Sequence, residues 1–236
     1  EGRVNETASI VVHLIRHGRV ASHQGDMPVT DEGQAEIRAA GVRLAEQIRP
    51  DEAIYFLCTS TRRTQETAAG LRAVMAERLG SEVGLPAPRA EWAIRNPDLF
   101  LAGRRVEMMS TPEAVAAQIP EAGLAGADVD AVAFFHAFFR SPDRIGYWLG
   151  HTDPPGEDTR AVARRVLAFS TSLLYVAPLQ ARRYVCVTHS PVMRAVLAEY
   201  LHHDPGEPEW VESIYLALDG SGTTITFRDR SIALRS

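Results

Sequence analysis

Arg16-His17-Gly18, Arg62-Arg63 and His189 are the residues whose types and settings promise chemistry. Each follows an apolar run of strand character, at the point where a polar loop leads into a helical pattern. Parallel strands would bring such ends to one edge, where loops converge and helix amino termini point. Two histidines facing two or more arginines suit phosphoryl transfer without a metal. One imidazole attacks phosphorus in line, and cationic donors spread over the equatorial oxygens stabilise the transition state. A carboxylic acid must then protonate the leaving oxygen. For Arg16-His17-Gly18 in isolation, a solvated loop is an equally good reading.

The elements that must position these groups alternate in type. Five of the six residues from Ile10 to Ile15 are aliphatic, as in a strand buried on both faces. Thr30 is a good N-cap for a helix carrying Ile37, Gly41, Leu44 and Ile48 at helical spacing, which Pro50 closes. Ala53 to Cys58 reads as a second strand. Ser60 is placed to cap the next helix, with a core stripe of Ala68, Leu71, Met75 and Leu79. Two arginines in that first turn oppose the helix dipole, so an anion nearby makes better sense of them. From Thr159, the residues Val162, Val166, Phe169, Leu173 and Val176 keep helical spacing. Arg183 to Val187 is a third strand, followed by Ser190 as N-cap and Pro191 at the first helical position. Ile214–Leu218 and Thr223–Phe227 read as two strands joined by a turn.

Between about residues 80 and 156 this alternation fails. The stretch holds Glu91-Trp92, Arg104-Arg105 and Phe134-Phe135-His136-Ala137-Phe138-Phe139, with four of the chain's eight phenylalanines. A helix so apolar is buried in a core or lines a pocket. We expect one α/β domain over residues 1–236, with a mostly parallel central sheet, helices on both faces, a helical or irregular cap inserted at about 80–156, and a C-terminal β-hairpin.

Composition narrows the function. A net charge of −5 argues against non-specific nucleic-acid binding, and no apolar run reaches a membrane span. All 25 basic side chains are arginine, so Schiff-base or amine chemistry on lysine is excluded. Cys58 and Cys186 lie in apolar runs and form neither a CxxC pattern nor a disulfide framework. Asn5-Glu6-Thr7 matches a glycosylation sequon, a pattern short enough to arise by chance. The opening EGRVNETAS lacks the charged start and apolar core of a secretory signal, and a cytoplasmic protein is expected. The chain begins at Glu1 and not at methionine, which leaves a removed leader open.

Taken together the motifs resemble those of the histidine phosphatase superfamily, also called phosphoglycerate mutase-like. Leu14-Ile15-Arg16-His17-Gly18 looks like its first-strand signature, and Pro28-Val29-Thr30-Asp31-Glu32-Gly33-Gln34-Ala35 is similar to the element that follows it. Arg63-Thr64-Gln65-Glu66-Thr67-Ala68 resembles its second arginine motif, which selects Arg63 over Arg62. Pro155-Gly156-Glu157-Asp158 and Val187-Thr188-His189-Ser190 resemble its later elements. The resemblance spans residues 10 to about 200, in the family's order.

That resemblance implies a metal-independent phosphomonoester hydrolase without cofactor, acting on a small phosphorylated metabolite through a phosphohistidine. Catalytic roles fall to His17 as nucleophile, to His189, and to Glu91 as proton donor, with Asp98 and Glu107 in reserve. Glu91 is preferred because it lies 28 positions after Arg63. Arg16, Arg63 and His189 would bind the phosphoryl group. The sequence departs from the family at Arg19-Val20 and His23, where the family often has an acidic residue with Thr or Ser and then asparagine. Arg19 and His23 are therefore candidates for substrate contact, Arg19 for a second anionic group. Mutase-type phosphoryl transfer and a non-catalytic phospho-ligand binder are the alternatives. No metal is implied, and His202-His203-Asp204 reads as a solvated helix end.

Overall fold

The computed structural model describes residues 10–23, 25–80, 84–175 and 181–235. The Asn5 sequon and Val176 lie outside the described residues. Chain order is β1 (Ile10–Arg16), α1 (Asp31–Ala45), β2 (Ala53–Cys58), α2 (Arg62–Leu79), β3 (Arg89–Ala90), a 3-10 turn at Trp92–Ile94, and the hairpin β4 (Leu99–Leu101) and β5 (Arg104–Val106). Four short helices follow, α3 (Pro112–Ala116), α4 (Gly126–Asp130), α5 (Ala133–Arg140) and α6 (Arg144–Leu149). The regular pattern then resumes with α7 (Thr159–Ser172), β6 (Arg182–Thr188), α8 (Ser190–Tyr200), β7 (Ser213–Asp219), β8 (Gly222–Phe227) and β9 (Arg230–Arg235).

The main sheet has the order β3-β2-β6-β1-β7-β8-β9. Its first four strands are mutually parallel, and β7 to β9 add an antiparallel meander. The expected hairpin is therefore extended by a third strand, β9, whose half-exposed residues gave the sequence little apolar signal. Alternate side chains serve the two faces, as the pleat requires. Val12, Leu14 and Cys186 join the core under α7, α8 and the inserted segment, whereas Ile15, Phe56 and Val187 join the core under α1 and α2. Each fully buried aliphatic side chain of this kind stabilises the fold by roughly 1.5–3 kcal/mol. Residues 80–156 are not wholly a cap, because Arg89–Ala90 pairs with Leu57–Cys58 as the edge strand of the sheet.

Local chemistry sets the helix ends. Thr30 Oγ1 accepts from Gly33 N at 3.2 Å, as expected of an N-cap, and the helix ends at Ala45, well before Pro50. Bonds from Gln47 N to Leu44 O and from Ile48 N to Ala45 O tighten the chain into a turn there. Ser60 caps nothing: Thr61 is the residue preceding α2, and its hydroxyl bonds to those of Thr59 and Thr64. At α8 the N-cap position falls to His189, which moves Ser190 and Pro191 one place into the helix. At Gly156, φ is +147° and a Cβ would meet Asp98 O at 2.1 Å. Glycine there lets the β4 edge dock through Phe100 N to Pro155 O and Glu157 N to Asp98 O.

One polar device lies inside the sheet. His13, the exception in the aliphatic run, is 3% exposed. Its Nε2 accepts from Arg183 Nη1 at 2.7 Å, its Nδ1 meets Ser213 Oγ at 3.2 Å, and Arg183 Nε donates to Glu52 at 3.1 Å. Burial, then Arg183, push the His13 pKa down to about 3. An unfolded chain takes up that proton near pH 6.5, so acidification between 6.5 and about 3 favours unfolding by about 1.4 kcal/mol per pH unit for each such histidine. Urea unfolding at a series of pH values should show stability falling through this window. His13→Gln should make the slope shallower by about one proton, and an unchanged slope would refute the assignment.

Candidate active site

Register explains why the three strand ends meet. β6 lies between β2 and β1, with Arg16 opposite Thr188 and Cys58 opposite Val187. The next residues along, His17, Thr59 and His189, therefore emerge side by side. The rings of His17 and His189 are 5.4 Å apart, and His189 Nε2 meets Thr59 Oγ1 at 3.0 Å. His17 N donates to Thr188 O and Gly18 N donates to Thr67 Oγ1, both fixing the loop. Gly18 packs closely against α1 here: a Cβ would come within 2.9 Å of the end of the Ile37 side chain, which would have to shift.

These groups open into a cavity of about 780 Å³ lined by Arg16, His17, His23, Arg63, Asn96 and His189, and also by Glu107, Met109, Phe138 and Arg144. His17 Nδ1 lies 2.9 Å from Gly18 O. A carbonyl only accepts, so Nδ1 carries the proton and the Nε2 lone pair is left available. Burial first, then Arg63, lower the His17 pKa to about 3, and burial holds His189 well below its ordinary value. Both imidazoles are neutral at physiological pH.

The cations are held differently. Arg16 donates to Pro208 O at 2.5 Å, pairs with Glu207 at 2.8 Å, and lies over the Trp210 ring at 3.7 Å. Arg63 pairs with Asp26 at 3.9 Å and with no other carboxylate among the described residues. Five buried side-chain polar atoms lack a partner among the described residues, and three of them, Arg16 Nε, Arg63 Nε and Asn96 Oδ1, belong to residues of this lining. Unmet buried hydrogen-bonding capacity is costly and concentrates where a ligand completes it.

Not every residue singled out in the sequence comes here. Arg62 turns away to Glu66, and Arg19 forks onto Glu36 at 2.7 and 3.0 Å, outside the cavity. His23 does line the cavity and stacks on Trp210. Glu91 is absent from the lining: its Oε1 accepts from Ala93 N at 3.1 Å and caps the 3-10 turn. Asp98 is engaged by Arg95 and Arg105; burial, which raises its pKa, is outweighed by those hydrogen bonds, and its carboxyl stays below the usual range. Glu107, at the end of the β4–β5 hairpin, is the one of the three carboxylates that faces the cavity. Sequence reading missed Asn96 and Trp210, which carry no motif and reach the site only through loop geometry. His136 pairs with Arg140 and Asp130, and Asp204 holds Arg194 through both oxygens.

The profile of the histidine phosphatase superfamily (branch 1) matches residues 12–85 and 136–235, and the chain belongs to that family. The interruption falls within the inserted segment. None of the curated proteins matches the chain. Among solved structures, mycobacterial hydrolase 1 is 20% identical with a TM-score of 0.58, over 95% of this chain and all of that one. A mycobacterial glucosyl-3-phosphoglycerate phosphatase is 19% identical with a TM-score of 0.54, over 89% and 90% of the two chains. Phosphoglycerate mutase from Bacillus anthracis str. Sterne is 12% identical with a TM-score of 0.56, over 95% and 94%. At such identities the likeness is one of fold. Among the described residues no helix is long and apolar enough to cross a membrane.

Proposed function

We propose that the protein is a metal-independent phosphomonoester hydrolase that works through a phosphohistidine on His17. The observation that carries this reading is the neutral imidazole of His17, with its Nδ1 on Gly18 O and its ring 5.4 Å from His189, in a cavity also lined by Arg16 and Arg63. Arg63, Arg16 and His189 hold the phosphoryl oxygens. Nε2 attacks phosphorus, the P–O bond to the alcohol breaks, and an acid delivers a proton to the departing oxygen. Water then attacks the phosphohistidine, the N–P bond breaks, and the carboxylate takes the water's proton. Residues 80–156, apart from the edge strand, act as the cap over this site. A cytoplasmic location fits Cys58 and Cys186, which are buried free thiols.

We assign the acid to Glu107 in place of Glu91, because Glu107 faces the cavity and Glu91 caps a turn. Glu107→Gln should lower kcat for an alkyl phosphate by roughly 10²–10⁴, and much less for 4-nitrophenyl phosphate, whose leaving group needs no proton. Steady-state rates on both esters, with chelator present, check this. Glu91→Gln showing the larger, leaving-group-dependent loss would return the role to Glu91. The phosphatase and mutase among the structural neighbours both make phosphoryl chemistry the natural class. Release of inorganic phosphate without a bisphosphate primer distinguishes hydrolysis from mutase-type transfer.

A further inference from the structure

The cavity is far larger than a phosphoryl group, and its lining extends beyond the two histidines and the arginines beside them. Arg144, the first residue of α6, lines it and donates through Nη1 to Ser110 O at 2.9 Å. Among the described residues no carboxylate lies within 4 Å of its guanidinium, although two other cations of the lining have one: Arg16 has Glu207, and Arg63 has Asp26. The adjacent Asp143 is not paired with it: both Asp143 oxygens bond Arg194, at 2.8 and 2.6 Å. Met109, Phe138 and Ile145 line the same cavity and supply apolar surface. A half-buried guanidinium beside apolar side chains, with no carboxylate paired to it among the described residues, is a locus for a carboxylate or similar anion, which arginine meets with a forked pair of hydrogen bonds.

We propose that Arg144 is a second anion-recognition point, so that the substrate is a phosphomonoester whose alcohol portion carries a second anionic group beyond an apolar spacer. This rests on the phosphatase reading above for the phosphoryl pole. It also relocates the second anionic site, which the sequence suggested for Arg19, to a residue that does face the cavity.

The test uses ω-carboxyalkyl phosphonates of two to six methylenes, and their methyl esters, as non-hydrolysable probes in calorimetric titrations of the wild-type protein, Arg144→Met and Arg144→Lys. At the best spacer length the acid should bind the wild type at least about tenfold more tightly than its ester. That ratio should fall to near one in Arg144→Met and recover in part in Arg144→Lys. A ratio near one at every length in the wild type, or an unchanged ratio in Arg144→Met, overturns the proposal. Turnover of 4-nitrophenyl phosphate is followed in parallel. An acid-over-ester preference without turnover supports the second site and refutes the hydrolase reading, turnover without the preference does the reverse, and the absence of both phosphonate binding and turnover overturns both.

Discussion

Replacing His17 by alanine is expected to lower kcat by more than roughly a thousandfold on any phosphomonoester the protein hydrolyses. The size follows from the role. In the proposed mechanism His17 supplies the only protein atom that bonds to phosphorus, and the remaining groups orient and neutralise a phosphoryl that then has no partner for in-line attack. Arg63→Met should cost less in kcat and more in KM, because the proposed role of Arg63 is to bind the phosphoryl in the ground state as well as the transition state. Nor should protonation of the nucleophile shape the pH profile near 6.5. With His17 lowered to about 3 by burial and Arg63, its imidazole is neutral in the free protein throughout the mildly acidic range. Imidazole nitrogen shifts in the ligand-free protein should therefore report a neutral His17 at pH 5. A rate for His17→Ala within tenfold of wild type removes this mechanism.

The second large effect is on stability, at Arg194. Arg194 is 1% exposed inside α8, and its guanidinium holds Asp143 from the inserted segment and Asp204 from the loop after α8, with Glu207 at 3.7 Å. The same loop carries Glu207, Pro208 and Trp210, which hold Arg16. Converting both close partners, as in Asp143→Asn with Asp204→Asn, leaves the buried charge with Glu207 at 3.7 Å in place of two hydrogen-bonded carboxylates and should destabilise by roughly 3–5 kcal/mol. Arg194→Met should cost less, because it removes the buried charge and leaves carboxylates that already reach solvent. Urea denaturation of the three proteins checks the order. If the methionine variant is the weaker one, or the double variant lies within about 1 kcal/mol of wild type, the buried guanidinium is not what holds these segments together.

Strand ends are where the sequence was most legible. Aliphatic runs give β1, β2 and β6 to within a residue, and polar residues at their ends must then converge if the strands are parallel and adjacent. Arg16, His17, Arg63 and His189 come together for that reason. Chain separation between motifs could not place the proton donor, because Glu91 and Glu107 both follow Arg63 at plausible spacing. What separates them is a two-residue edge strand, a 3-10 turn and a hairpin, elements too short to leave a periodic signal. Asn96 and Trp210 are illegible for a related reason: their place depends on where loops fold back, over Ile94 O and Thr188 Oγ1 in one case and over Arg16 in the other. His13 and Arg183 break the apolar pattern of their strands, and only the pairing of β1 with β6 reveals that each satisfies the other.

Arg19 shows the opposite limit. A cation three positions from the strand end looks suited to substrate, yet one carboxylate of α1, Glu36, is within its reach and claims it. Arg144 sits in a segment without any motif and is left without such a partner among the described residues.

The most direct measurement is capture of the covalent intermediate. The wild-type protein is mixed with 4-nitrophenyl phosphate, quenched in alkali within milliseconds, and mapped by mass spectrometry of its peptides. An acid-labile phosphoryl group on Nε2 of His17, absent from His17→Ala, is the predicted result; a phosphoryl group on any other residue, or steady turnover with no adduct at any quench time, would contradict it.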